Sequence, residues 1–181
     1  MNNTINSISF GAKIITPLKG GYNVMDKVAK KFEEKTANMD GYLRVLKDGG
    51  TGLSVSLNDK KNVVFHDSSD LLLTNVKDDR VITDKVVDKI VDRFINVYRA
   101  LNEYSKFEEL KTFYRKKINE FSKNTYSSDR INPESTTQLV HMFGEFKNYK
   151  NEFLKNINEI VKDEPKLTIW KYKVLNDEAI K

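Results

Sequence analysis

Four groups of residues have types and spacings that chemistry could use. His66-Asp67-Ser68-Ser69-Asp70 places an imidazole beside two carboxylates at the end of an expected strand, a grouping suited to holding a divalent ion or to general-base work. A mononuclear metal site wants further ligands, and the second histidine, His141, falls on a helix far along the chain. The cluster therefore reads first as a polar turn. An enzyme with its site near His66, Asp67 and Asp70 ranks third among the functional readings, behind two kinds of binding.

Asp48-Gly49-Gly50-Thr51-Gly52 is glycine-rich. A phosphate-cradling loop needs Gly, four residues, then Gly-Lys-Ser/Thr opening a helix, so that backbone amides and a helix N-terminus meet the anion. Here the lysine is missing and an alternating segment follows, which points to a hairpin turn. Asp84, Asp88 and Asp92 stand at i, i+4 and i+8, one row of a helix. Such a row can hold magnesium, but Lys85, Lys89 and Arg93 form the adjacent row, and a solvated, salt-bridged face is the expectation.

The fourth group is the local concentration of cations Lys111, Arg115, Lys116, Lys117 and Lys123, interleaved with Phe113 and Tyr114. Cations among aromatics can pair phosphates and stack bases, so this helix face carries the nucleic-acid or anion-binding reading. Tyr114, however, also fits an apolar packing stripe. Cysteine is absent, which excludes disulfides, thiolate zinc sites and cysteine nucleophiles. No Gly-x-Ser-x-Gly elbow occurs. No catalytic residue, metal ligand or cofactor is assigned, and the chain is expected not to be an enzyme.

Composition supports a folded protein with balanced charge. The 181 residues are the size of one domain, 39% are hydrophobic, and 31% are charged with a net +5. The basicity comes mostly from Lys, 25 against 6 Arg, beside 18 Asn, a pattern that an AT-biased genome yields without selection for binding. It is spread along the chain, so long-range steering of a polyanion would be weak. No apolar run approaches the ~18 residues of a membrane span, and no signal peptide is recognised at the N-terminus. A cytoplasmic location without membrane contact is the default expectation.

The elements that must position these groups follow from periodicity. Residues 1–7 are polar and expected to be disordered. Alternation from Ile8 through Phe10, Ala12 and Ile14 suits a short edge strand. A helix is expected over about Val24 to Thr36, with Asn23 as N-cap and Val24, Val28 and Phe32 as its apolar stripe. Tyr42–Lys47, Leu53–Leu57 and Asn62–His66 read as strands, with Leu71–Leu73 as a possible fourth segment.

From Val81 to Phe121 the period is helical, with a register step at Ser105 where a capping box with Glu108 would also fit. No Gly or Pro enforces a break, so a near-continuous helix over about 83–123 is favoured. Asn132-Pro133 is a strong start signal for a last helix over about 133–163, which Pro165 is expected to stop. Leu167–Leu175 alternates, and a C-terminal strand returning to the sheet is its expected use.

The predicted fold class is α+β. It comprises a small antiparallel sheet of three to five strands covered by one helix, a long antiparallel helical hairpin, and a C-terminal strand. The expected division is an N-terminal lobe over 1–80, the hairpin over 81–164, and a strand and tail over 165–181 packing back on the first lobe. The hairpin interface is assigned to Phe107, Leu110, Tyr114, Ile118 and Phe121 on one helix, and to Leu139, Phe143, Phe146, Phe153 and Ile157 on the other. Two helices alone leave part of such a stripe uncovered. The expected function is therefore that of a protein-interaction or structural module, with a protein partner or a second copy on the hairpin. Nucleic-acid or anion binding through Lys111–Lys123 is the alternative.

Overall fold

The computed structural model describes residues 11–18, 24–48, 52–65, 83–126 and 133–179. The fold is α+β. Its elements, in chain order, are β1 (Lys13–Ile15), α1 (Val24–Lys35), β2 (Tyr42–Asp48), β3 (Gly52–Leu57), β4 (Lys61–Phe65), α2 (Asp84–Tyr126), α3 (Pro133–Val161) and α4 (Pro165–Ala179). Spatial order in the sheet follows sequence order. The expected strand at Leu71–Leu73 and the expected disordered start lie outside the described residues.

Period-2 alternation governs the sheet. Leu43 and Val45 of β2, Leu53, Val55 and Leu57 of β3, and Val63 of β4 are all buried, while Arg44, Ser54 and Ser56 turn to the other face. β2, β3 and β4 form an antiparallel meander, with Val45 opposite Val55 and Val55 opposite Val63. Asn58 and Asp59, both at positive φ, turn β3 into β4; Lys60 N–H donates to the Leu57 carbonyl at 3.0 Å. Asn and Asp tolerate that left-handed backbone, and a primed turn of this kind matches strand twist. Asp59 also fastens the turn to β2, accepting from Tyr42 Oη at 2.8 Å and from Arg44 Nη2 at 2.9 Å. Those two donors, Arg44 foremost, hold the Asp59 carboxyl below the usual carboxylate range.

The sheet is mixed, which corrects the all-antiparallel expectation. β1 runs parallel to β2, Lys13 opposite Tyr42 and Ile15 opposite Arg44, because α1 lies between them in sequence and supplies the crossover a parallel pair requires. The C-terminal end of α1 is locked to β1. The buried Thr36 hydroxyl sits 2.7 Å from the Phe32 carbonyl and 3.1 Å from that of Ala12, while Ala12 N–H donates to the Thr36 carbonyl at 3.3 Å. The approach is close enough that a Cβ on Gly11 would lie 2.2 Å from the Glu33 carbonyl oxygen.

The helix cover also differs from expectation. One helix was expected over the sheet; α1 packs beside β1, and the first half of α2 crosses β3 and β4. Val24, Val28 and Phe32 of α1 join Val87, Ile90, Val91, Phe94 and Leu101 of α2 in the core. Tyr98 closes the layer, its ring 6.4 Å from that of Phe32 and its hydroxyl donating to the Asp40 carbonyl at 2.6 Å. The acidic row of α2 serves this packing. Asp88 pairs with Lys31 at 2.8 Å and Lys35 at 3.3 Å, and Asp92 pairs with Lys35 at 2.9 Å. Asp88 and Asp92 are thus answered from α1.

α2 runs 43 residues as a single helix through Ser105, about 64 Å of rise, with no Gly or Pro inside it. α3 returns antiparallel along its second half. The C-terminal segment is a helix, not a strand. Pro165 does not merely follow α3; it opens α4 at the first helical position, where its missing N–H costs nothing. Between them, Glu164 accepts from Asn96 Nδ2 at 3.3 Å and lies 3.6 Å from Arg93 Nε, tying the α3–α4 corner to α2.

Read at a helical period, Leu167, Trp170, Lys171 and Val174 form the inner face of α4. Trp170 meets Tyr104 edge-on at 5.5 Å. Lys171 is buried, with Nζ 2.6 Å from Asn158 Oδ1. Among the described residues no helix is long and apolar enough to cross a membrane.

Candidate functional site

The two apolar stripes assigned to the hairpin meet along α2 and α3, but their burial is graded. Phe107 stacks on Phe153 at 4.5 Å and on Phe146 at 6.0 Å, and Tyr114 lies 5.8 Å from Phe146 and 5.9 Å from Tyr149. Phe107, Tyr114, Phe153 and Ile157 are buried. Leu110, Ile118, Phe121, Leu139 and Phe146 are half-buried, and Phe143 is 55% exposed. Phe107, Phe153 and Ile157 belong to the continuous core, where the sheet and α4 support the pair. Farther toward the hairpin tip, among the described residues, only α2 and α3 face each other, and a two-helix contact cannot surround both stripes.

The unfilled space is a groove of about 300 Å³ between α2 and α3. Phe107, Tyr114, Ile118, Phe143 and Phe146 give it an apolar floor and wall, and Lys111, Arg115 and Lys150 stand at its edges. Helix geometry places Val140, which is 67% exposed, and Lys147 on the same flank of α3 as Phe143. That flank therefore presents exposed apolar side chains ringed by cations. The opposite flank is different: its groove of about 260 Å³ is bordered by Glu103 and Glu152 as well as Lys106, with Asn156 donating to Glu103 at 3.1 Å.

The five cations singled out in the sequence do not share one face. Lys111 and Arg115, one turn apart, border the groove, and Lys111 is 3.7 Å from Glu108. Lys117 crosses to the other side, its ammonium 4.8 Å from the Phe113 ring centroid. Lys116 and Lys123 are exposed, and a 100° step per residue puts them on the side of α2 away from α3. Lys147 and Lys150, which complete the cationic rim, are on the other helix. Their spacing from Phe143 at i+4 and i+7 was the available signal; without knowing how the helices cross, it could not be joined to Lys111 and Arg115.

Tyr114 lines the groove, and its Oη donates to Glu145 Oε2 at 3.0 Å; the other carboxylate oxygen is 3.3 Å from His141 Nδ1. Burial, then Glu145, pushes the Tyr114 phenol up to about 12. His141 is otherwise exposed on α3. The His66, Asp67 and Asp70 cluster lies outside the described residues. Among the described residues no group of three or more His, Asp or Glu is arranged to hold a metal ion.

Fold and site together describe an α+β domain whose helical hairpin extends past its supporting sheet. No family model, no curated protein and no solved structure matches the chain.

Proposed function

We propose that the protein is a non-enzymatic interaction module that docks another polypeptide on the distal half of its α2–α3 hairpin. The observation that carries this reading is the exposed apolar flank: Phe143 at 55% and Val140 at 67% exposure beside an open groove, on a helix whose other end buries Phe153, Ile157 and Val161. Single exposed apolar residues need no explanation, whereas neighbouring ones along a groove are what a helix or a second copy covers. Nucleic acid suits the same surface less well. The groove's floor aromatics Phe107 and Tyr114 are buried against other rings and cannot stack bases, so the exposed Phe143 is not part of the row of open rings that a single strand uses.

The test is a photo-crosslinking amino acid installed at Phe143 and, as a control, at Tyr172, the exposed aromatic of α4. In cells of the protein's source, position 143 should yield a discrete protein adduct, of either a dimer or a different partner, and position 172 should not. Diffuse labelling from both positions, or none from 143, would reject the proposal.

A further inference from the structure

Resting on that docking reading, we infer that the occupant of the groove is an acidic, amphipathic helix from a different protein. Three features select it. The first is shape. The groove runs between two antiparallel helices from the level of Phe107 to that of Asn119, about 18 Å or three helical turns. Its volume of about 300 Å³ is at the lower limit for small-molecule pockets, and it is a cleft rather than an enclosed cavity. It suits a row of apolar side chains delivered at i, i+3 or i+4 and i+7 by a third helix, which would complete a three-helix bundle.

The second is charge. Arg115 on α2 and Lys147 and Lys150 on α3 are exposed beside the apolar strip, on both its sides; Lys111, which also lines the groove, is largely covered and lies 3.7 Å from Glu108. Carboxylates along both edges of an incoming helix would meet cations on each side of the strip, and basic ones would be repelled. The third separates a partner from a second copy. Two copies laid flank to flank would oppose the same lysines, since an isologous contact places each patch against itself.

The experiment uses the full chain and three synthetic helical peptides of roughly 18 residues, about 27 Å long. One has a leucine stripe flanked by glutamates, the second the same stripe flanked by lysines, and the third the glutamates with serines replacing the leucines. A single-stranded RNA oligonucleotide serves as a fourth probe. Fluorescence anisotropy measures each against the wild type, Phe143→Ser, and the double variant Lys147→Glu/Lys150→Glu. These residues are exposed, and circular dichroism checks that the variants fold.

The glutamate–leucine peptide should bind roughly tenfold or more tightly than either other peptide, and the double charge reversal should remove that preference. Phe143→Ser should weaken it about tenfold. Equal binding of acidic and basic peptides overturns the inference. So does RNA binding that exceeds the peptide's and is lost on charge reversal, or a concentration-dependent dimer that Phe143→Ser dissolves. In each of these cases a specific adduct from position 143 would leave the docking reading standing, whereas absence of that adduct removes it independently of the peptides.

Discussion

Phe153→Ala and Phe143→Ala place the same change on one helix at two depths, and they should differ severalfold in cost. Phe153 is 5% exposed and stacked on Phe107 at 4.5 Å, inside the part of the hairpin held by the sheet and α4. Its removal forfeits the transfer free energy of the ring and leaves a cavity, about 3–5 kcal/mol together. Phe143 is 55% exposed and borders an open groove. Less than half of a full phenylalanine burial is lost and no cavity forms, so about 1 kcal/mol or less is expected. For a chain of this length each kcal/mol moves Tm by roughly 2–4 °C, giving a fall of about 6–20 °C for Phe153→Ala and no more than about 4 °C for Phe143→Ala. Urea unfolding followed by Trp170 fluorescence and by circular dichroism measures both, Trp170 being the chain's single tryptophan. Equal losses, or a larger loss at Phe143, would mean that the distal hairpin is packed like the core, and the exposed docking flank would fall with it.

Three further outcomes follow from the same geometry. Gly11→Ala should destabilise by about 1–3 kcal/mol in urea unfolding, because the new methyl would lie 2.2 Å from the Glu33 carbonyl oxygen and backbone must move. Gly144→Ala should stabilise by about 0.5–1 kcal/mol, since its Cβ would meet nothing within 4 Å in mid-helix and alanine loses less backbone entropy; a lower Tm would refute it. Tyr114, raised from 10 to about 12 by burial and by Glu145, favours the folded state while neutral. Its contribution is therefore complete below pH 10 and lost as pH rises toward 12, where the unfolded phenol has already ionised. Ultraviolet titration should show a late tyrosinate component that Tyr114→Phe removes, with a shallower alkaline loss of stability in the variant.

Much of the helical architecture was legible because helix periodicity is local. The stripe from Val87 to Leu101 and its continuation through Phe107 and Tyr114 mark α2, and Pro133 marks the start of α3 at the position observed. Leu53-Ser54-Val55-Ser56-Leu57 likewise forms β3 with its leucines and valine inward. Leu167–Leu175 was ambiguous. Trp170, Tyr172 and Val174 alternate, while Leu167, Trp170, Lys171 and Val174 fit a helix, and nine residues are too few to separate the two periods. Packing against α3, with Lys171 bonded to Asn158, accompanies the helical outcome. Pro165 was informative too, as a helix start rather than only a stop.

What the chain determines by itself is which residues seek burial and at what period, because both depend on side-chain type and neighbours along the backbone. Three matters were left to the tertiary structure. β1 pairs parallel to β2, since its partner lies beyond a whole helix. The sheet shares its cover between α1 and α2, which lie far apart in sequence. The groove joins Lys111 and Arg115 to Phe143 and Lys150 across a helix–helix contact. The basic run on α2 was visible as composition; the crossing with α3 divides it among separate faces, and the cations that flank the apolar strip come from two helices. A site of that kind is made by the angle and depth at which two helices meet, quantities that no periodicity along one of them contains.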